Sequence, residues 1–318
     1  MGVDALNYTP PAAASARTLA VPAACAGMRL DQALAQLLPQ HSRSRLKAWI
    51  EAGEVSVDGV ARAPRYLLHG GETLAIAAHD APVDATHAAQ PIALSIVHED
   101  AALLVVDKPP GMVVHPGAGN RDGTLLNALL HHAPQLSAVA RAGIVHRLDK
   151  DTSGLLVVAK TIEAQTALAR ALAQRTVKRE YLAIAYGDIE RTMTVDAPIG
   201  RHPSARTTMA VVASGREART HVAPLEHYVI ATLAQCTLDT GRTHQIRVHL
   251  AAIRHPLVGD PAYGPRREIP GLPPMRRQAL HAWRLSLVHP VTAKPMRWRV
   301  EPPADFLALR DALRERLA

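Results

Sequence analysis

Residues 143–160 read GIVHRLDKDTSGLLVVAK, a dense polar segment followed at once by the apolar run Leu155–Ala159. That run is short, uncharged and rich in branched residues, so it predicts a buried strand. A loop at the end of a buried strand is a place where a fold can hold a reactive group rigidly. The segment therefore predicts a fixed polar loop at the edge of a core.

The polar segment carries two carboxylates, Asp149 and Asp151, among the basic residues His146, Arg147 and Lys150. Nearby cations favour the ionised form of a carboxylate. Charge alone does not distinguish a reactive loop from a solvated surface loop. Loops of this composition are more often solvated surface loops.

The complete string HRLDKDTSG resembles the signature loop of the RluA-type RNA pseudouridine synthases and matches the pattern of that family without a departure. The resemblance implies that Asp149 is the catalytic carboxylate. It also makes His146 and Arg147 candidates for contact with RNA, with Arg147 filling the space that a flipped base leaves.

The composition agrees with a polyanionic partner. The chain has 318 residues, enough for one to three domains, a formal net charge of +8 and a pI of about 9.9. Cys25 and Cys236 are far apart and fit no zinc or CxxC spacing, and the 17 histidines form no HExxH pattern. We expect free thiols, no metal and no cofactor.

The N-terminal third resembles an S4 RNA-binding domain in the pattern RLDQALAQLL…SRSRLKAWIEAGEVSVDG. Two amphipathic helices are predicted, the second with Ser42 as its N-cap, and Asp58-Gly59 predicts a hairpin. Three cations lie early in the second helix, where they form either a solvated face or, as the resemblance implies, a contact with RNA: Arg43, Arg45 and Lys47.

These patterns predict an α+β chain with a small S4-like domain and a larger catalytic domain. The resemblance implies the pseudouridine synthase fold, with a mainly antiparallel mixed sheet, for the larger domain. The expected boundaries are a disordered tail at 1–17, the S4-like domain at 18–78, a linker at 79–92 and the catalytic domain at 93–318, which includes a C-terminal helix.

Two further motifs supply candidate site residues. In RTVKREYLAIAYG, alternating residues predict a strand, and the resemblance makes Tyr181 an active-site residue that stacks near the target base. In GRTHQIRVHLA, Thr243 is a candidate cap for a helix, and the resemblance implies that Arg247 pairs with Asp149. Residues 199–212 are either a loop that follows the RNA backbone or a polar hairpin.

Pseudouridine formation breaks the N1–C1′ bond, turns the uracil and rejoins it through C5, so it needs neither electrons nor phosphate energy. The uridine has to leave its stack to reach a carboxylate. A retaining glycosidase also uses a carboxylate at an anomeric carbon but needs a second one close by, and the sequence leaves the position of Asp151 open. A kinase is excluded, since HRLD is not HRDLxxxN.

Within the family the chain is closest to the RluD-type subfamily, in which an S4 domain precedes the catalytic domain. The resemblance implies a uridine target in a stem-loop of 23S ribosomal RNA. The alternatives are another ribosomal or transfer RNA site, or a catalytically inert S4-type RNA-binding protein. No membrane-spanning run or signal peptide is apparent, so we expect a cytoplasmic monomer.

Overall fold

The computed structural model describes residues 17–38, 41, 43–77, 87–117, 119–205, 208–265 and 269–316. Residues 1–16 of the expected tail, Ser42 and residues 79–86 of the expected linker lie outside the described part. The chain divides into two compact units after Pro82.

The first unit pairs two helices with a four-stranded antiparallel sheet in the order β1-β4-β2-β3. Its hairpin turns at Asp58 and Gly59, whose φ angles are 48° and 77°, as a type I′ turn requires. The predicted hairpin is thus confirmed. The elements are β1 (Arg17–Ala20), α1 (Leu30–Leu37), α2 (Arg43–Glu51), β2 (Val55–Val57), β3 (Val60–Ala61) and β4 (Thr73–Ile76).

An apolar core of its own holds this unit together. Leu30 and Leu34, one turn apart on α1, are fully buried, and Leu46 and Ile50 occupy the same spacing on α2. They pack with Val55, Leu74 and other core residues of the unit. The predicted amphipathic helices therefore form because each buries one face against the small sheet.

The second unit is built on a nine-stranded sheet in which β5-β6-β7-β14-β8-β13-β12-β9 are neighbours and β15 pairs with β14. Only β7 and β14 run parallel; the other pairs are antiparallel. The strands are β5 (Ser95–Glu99), β6 (Leu103–Lys108), β7 (Ser153–Ala159), β8 (Lys178–Tyr186), β9 (Met193–Asp196), β12 (Arg219–His227), β13 (Ala231–Leu238), β14 (Leu280–Val288) and β15 (Pro295–Arg299).

A separate hairpin and four helices complete the second unit. Thr124 and Asn127 form a capping box at the start of α3, and the Thr161 hydroxyl accepts the Ala164 N–H at the start of α4. The elements are the hairpin β10 (Ile199–Arg201) and β11 (Met209–Val211), with α3 (Leu125–His132), α4 (Ile162–Ala173), α5 (Gln245–Ala252) and α6 (Ala304–Glu315). Of the two structures predicted for this segment, residues 199–211 thus form the hairpin. Arg206 and Thr207 lie outside the described part.

Strand β7 is buried along its whole length, as the run Leu155–Ala159 predicted. The two glycines that bracket the polar segment explain how the loop can lie so close to the sheet. Gly143 has φ 75°, and a Cβ there would clash with the Ala159 carbonyl; Gly154 has φ 109°, and a Cβ there would lie 2.7 Å from the Ala282 nitrogen. Only glycine permits both the backbone conformation and the approach.

The α+β class and the mainly antiparallel mixed sheet are confirmed. Both cysteines are free and buried. Ala88 and Gln90, at the end of the expected linker, bond with residues at the start of α3: the Ala88 carbonyl accepts from Asn127, and the Gln90 side chain accepts the Gly123 N–H. No helix within the described ranges has the length and apolar character needed to cross a membrane.

Replacing Gly154 with alanine should lower the free energy of unfolding of the larger unit by about 3 kcal/mol or more, because the Cβ meets backbone atoms that cannot move alone. The measurement is urea unfolding followed by circular dichroism. Gly117→Ala is the matched control, since a Cβ there has no atom within 4 Å, and it should change stability by less than about 0.5 kcal/mol. Equal effects of the two substitutions would contradict the close approach.

Candidate active site

Asp149 lies in the irregular loop between Ile144 and β7, and the loop closes on itself just beyond it. The Asp149 carbonyl accepts the Thr152 N–H at 3.1 Å, and Ser153 then enters the sheet and bonds to His281 at 2.9 Å. The Asp149 side chain is 15% exposed. The carboxylate is therefore held by the end of a buried strand and still open to a cavity.

Arg247 joins this carboxylate to a second, fully buried one. Its Nη1 donates to Asp149 Oδ2 at 3.1 Å, while Nε and Nη2 donate to the two oxygens of Asp260 at 2.7 and 2.9 Å. Burial alone would lower the pKa of Arg247, but the hydrogen bonds and charges of Asp260 and Asp149 outweigh it and raise the pKa. The guanidinium is thus a fixed positive charge beside Asp149.

Asp260 is itself fixed by the main chain. Its Oδ1 accepts the N–H groups of Ala262 and Tyr263 at 2.9 and 3.1 Å, besides the bond from Arg247. A buried carboxylate needs such partners to stay ionised. Asp260 therefore serves as the anchor that aims Arg247, and it was not among the residues predicted from the sequence.

Helix α5, which carries Arg247, is fastened to the sheet by buried polar side chains. The Gln245 amide donates to Arg219 O and Thr220 Oγ1 at 2.9 and 3.0 Å and accepts from Thr240 at 2.7 Å. His249 bonds to Thr220 Oγ1 and to a main-chain carbonyl, both at 2.9 Å. The buried side chains of Gln245 and His249 thus have hydrogen-bond partners, which attach the helix rigidly to the sheet.

The start of α5 differs from the sequence prediction. The residue before the helix is His244, with φ 56° and ψ 22°, and no side-chain cap bond is present. The prediction that Thr243 caps this helix is therefore wrong. Gln245, the first helical residue, instead binds the loop through its side chain, accepting the Arg242 N–H at 3.0 Å.

The left-handed conformation of His244 places its ring beside the ion pair. His244 Nε2 lies 3.9 Å from Asp149 Oδ1, and Nδ1 bonds to the Tyr263 hydroxyl at 2.8 Å. Burial lowers the pKa of His244 although the charge of Asp149 opposes this, and burial raises the pKa of Tyr263. A non-glycine residue with positive φ costs about 1–3 kcal/mol, and such strain collects at functional sites.

A cavity of about 450 Å³ connects Asp149, Tyr181 and Arg247. Tyr181 lies in the middle of the sheet, paired with Cys236 on one side and Ala282 on the other, so its ring position is fixed. Burial raises the pKa of Tyr181, which keeps the hydroxyl protonated. The cavity offers one ring face, one carboxylate paired with Arg247 and apolar walls that include Leu148 and Leu280.

His146 and Arg147 line the same cavity but differ in their surroundings. The Nε2 atom of His146 accepts the Val157 N–H at 3.1 Å, so this histidine also ties the loop to β7. Burial, with the nearby charge of Arg179, lowers the pKa of His146 to about 3, and its ring is neutral. Arg147 is exposed at the mouth of the cavity.

The cavity is rich in cations. Six arginines line it, while its carboxylates are Asp149 and Asp239. The Asp239 carboxylate lies 3.1 Å from His221 and 3.9 Å from Arg219. The arginines are Arg141, Arg147, Arg175, Arg179, Arg242 and Arg247. A concave surface of this charge concentrates a polyanion.

Asp151, two residues after Asp149, does not line the cavity. Its main-chain carbonyl accepts from Arg277 at 3.0 Å, and Arg277 in turn holds Asp305. The second carboxylate of a retaining glycosidase is therefore not supplied by Asp151.

Lys108, which was not among the residues predicted from the sequence, supports the loop that carries Asp149. This fully buried lysine donates to the carbonyls of Pro109, Met112 and Lys150 at 2.8, 3.0 and 3.0 Å. Burial lowers its pKa to about 7, although the charges of Asp151 and Asp149 oppose this. The three bonds use all three donors of the ammonium group. They join the loop after β6 to the residue that follows Asp149.

Of the candidates in the S4-like unit, Arg43 and Arg45 have side chains outside the described part of the structure. Lys47 forms an ion pair with Glu51 at 3.2 Å, and both side chains are half exposed. No group of three or more potential metal ligands (His, Cys, Asp or Glu) occurs among the described residues.

Comparison with known proteins agrees with this architecture. Residues 102–252 match the family model described as RNA pseudouridylate synthase, and residues 28–74 match the S4 domain model. Two structures of human proteins are similar: RNA pseudouridylate synthase domain containing 1 (TM-score 0.54, 29% identity, 69% of this chain and 87% of that one) and domain containing 4 (TM-score 0.55, 24% identity, 69% and 93%). The second of these supports the fold alone.

Three curated bacterial relatives carry the name ribosomal large subunit pseudouridine synthase D. The protein of Nitrosomonas europaea is 58% identical over 93% of this chain and 87% of its own length. Those of Pseudomonas aeruginosa and Escherichia coli K12 are 51% and 50% identical, over 94% and 91% of this chain and 96% and 91% of their own lengths. With this identity over nearly the full length, the chain belongs to the RNA pseudouridylate synthase family and is an RNA pseudouridine synthase.

Proposed function

We propose that this protein isomerises specific uridines of large-subunit (23S) ribosomal RNA, in one stem-loop, with Asp149 as the catalytic carboxylate. The observation that carries the proposal is the 3.1 Å pair between Asp149 and Arg247 at a cavity that Tyr181 also lines. The ribosomal target is carried over from the names of the relatives.

The chemistry needs one ionised carboxylate beside the glycosidic bond. The N1–C1′ bond of the uridine breaks, the uracil turns, a C5–C1′ bond forms and the proton on C5 leaves. Arg247 supplies the opposite charge beside Asp149, and its two bonds to Asp260 prevent the guanidinium from turning away. The same pair serves whether Asp149 attacks the sugar, attacks the base or removes a proton.

In the proposed reaction, Tyr181 and Arg147 hold the RNA with its nucleotide flipped out. The ring of Tyr181 is rigid and lines the cavity, so a uracil can stack on it beside Asp149. Its raised pKa keeps the hydroxyl protonated at neutral pH, so the hydroxyl can donate a hydrogen bond to the nucleotide. Arg147, exposed at the cavity mouth, is placed to fill the gap in the RNA stack.

We further propose that residues 18–78 supply affinity and target choice, that residues 79–92 link the units, and that residues 93–318 perform the chemistry. Every proposed catalytic side chain comes from one copy of the larger unit, which supports a working monomer. The ribosomal RNA target named for the bacterial relatives supports a cytoplasmic location as part of this proposal.

Asp149→Asn should abolish pseudouridine formation, because the change is nearly isosteric but removes the charge. RNA affinity should persist, since the cations remain. Tritium release from 5-tritiated uridine in ribosomal RNA is the measurement. Asp151→Asn, two residues away and outside the cavity, is the matched control and should retain activity. Activity of Asp149→Asn within about tenfold of wild type, or 1.4 kcal/mol, would refute the assignment.

Arg247→Met should cripple catalysis, because Asp149 loses both its charge partner and the hydrogen bond that orients it. The measurement is the single-turnover rate of tritium release. The substitution also leaves Asp260 buried without its cation, which costs about 3–5 kcal/mol of stability.

Arg191→Met is the matched control, because it removes an exposed arginine that does not line the cavity, and it should keep the wild-type rate. A wild-type rate in Arg247→Met, measured on protein shown to be folded by circular dichroism, would mean that Arg247 takes no part in the reaction.

Replacing Arg43, Arg45 and Lys47 by Gln should weaken RNA binding and leave the rate on saturating RNA nearly unchanged. Each phosphate contact contributes about 0.7 to 0.9 to the slope of log K against log salt, so the slope should flatten by up to about 2 to 3. Exposed Arg65 of the same unit is the control, as Arg65→Gln. An unchanged slope in the triple variant would mean that these cations form a solvated face that does not contact RNA.

A further inference from the structure

Arg179, on β8 two residues before Tyr181, is a buried cation without a counter-charge among the described residues. It is 7% exposed and lines the same cavity as Asp149. Its Nε atom is buried and makes no hydrogen bond, and no ion pair to Arg179 occurs within the described part of the chain. An uncompensated buried charge costs several kcal/mol, so its retention calls for a partner that comes from outside.

The two carboxylates of the cavity are already engaged and do not serve Arg179. Asp149 pairs with Arg247 at 3.1 Å, and Asp239 lies 3.1 Å from His221. The charge of Arg179 nevertheless reaches the site, because it contributes to lowering the pKa of His146. The guanidinium thus lies near the proposed reacting groups, and neither carboxylate of the cavity is paired with it.

Two further arginines line the cavity from other elements. Arg175 follows α4 and Arg242 precedes α5, and both line the cavity. They share Glu217: Arg175 Nη2 lies 2.6 Å from its carboxylate, and Arg242 Nε donates to its main-chain carbonyl at 2.9 Å. Burial lowers the pKa of Arg242, with the charges of Arg216 and Arg175 adding to the effect.

Local geometry fixes where the Arg179 guanidinium lies. A Cβ placed on Gly241, in the loop before α5, would lie 2.7 Å from Arg179 Nη1. The absence of a side chain at Gly241 therefore leaves room for the guanidinium between β8 and that loop. The site is built from three separate segments around a cation that is itself more than nine-tenths buried.

We propose that Arg179, with Arg175 and Arg242 lining the same cavity, binds a backbone phosphate adjoining the target uridine once that uridine has flipped into the cavity. A uracil carbonyl is neutral and would leave the buried charge uncompensated, whereas a phosphate supplies the charge and matches the planar fork of the guanidinium. This inference rests on the proposed function for the identity of the substrate. Arg179 is then a binding residue for the reaction, distinct from the Asp149–Arg247 pair.

The proposal predicts opposite effects on stability and on RNA binding. Arg179→Met in the full-length protein should leave the melting temperature unchanged or raise it, because an unpaired buried charge disappears. Its affinity for ribosomal RNA, isolated from cells that lack the protein, should fall about tenfold, as expected for a lost bond to a charged group. The slope of log K against log salt should flatten by about 0.7 to 0.9.

Two variants serve as controls in the same series. Arg191→Met removes one exposed arginine of the same unit and should change neither affinity nor slope beyond error. Arg179→Lys keeps the charge without the fork, so it should keep the slope of wild type with weaker binding. Inorganic phosphate, compared with chloride at equal ionic strength, should raise the melting temperature of wild type more than that of Arg179→Met.

The outcomes separate this proposal from the proposed function. A lower melting temperature in Arg179→Met would show that Arg179 stabilises the fold. An unchanged salt slope would show that Arg179 makes no contact with a phosphate. Either result overturns the inference. A collapsed single-turnover rate at unchanged affinity would also overturn it, because Arg179 would then act on the chemical step. If wild type shows the Arg179-dependent slope but releases no tritium, the proposed function fails and the phosphate subsite stands.

Discussion

The site depends on one guanidinium shared between two carboxylates. Arg247 makes two bonds to buried Asp260 and one bond to Asp149, which remains open to the cavity. A buried charge that loses its partner costs about 3–5 kcal/mol, so the three groups must be placed together or not at all. Asp260 is the structural end of the network, and Asp149 is the end available to a substrate.

The rest of the larger unit places those groups with little freedom. Lys108 reaches from the end of β6 to the carbonyl next to Asp149, and Gly154 lets the loop lie directly against β14. On the other side, Gln245 fastens the start of α5 to β12. A carboxylate held from several sides keeps its orientation. Under the proposed function, this reduces the reorganisation that catalysis would otherwise require when the uridine enters the cavity.

Much of this fold and of its candidate site was predictable from the sequence. The remainder was not predictable, and the cause is physical. The buried strand after the polar segment and the helix carrying Arg247 followed from apolar spacing, while the roles of Asp149, Tyr181 and Arg247 came from resemblance and remain to be tested. Asp260 and Arg179 were missed because an aspartate after glycine and an arginine at a strand start look like ordinary surface residues. Only the packing of distant segments reveals that Asp260 has a charge partner, whereas Arg179 has none among the described residues.

The most direct test of the account is the mapping of pseudouridine in ribosomal RNA from cells with and without this protein. Deletion should remove pseudouridine from one or a few positions of the large-subunit RNA. Wild-type protein should restore them, and the Asp149→Asn variant, expressed at the same level, should not. Unchanged RNA on deletion, or restoration by Asp149→Asn, would contradict the claim that this carboxylate carries out the isomerisation.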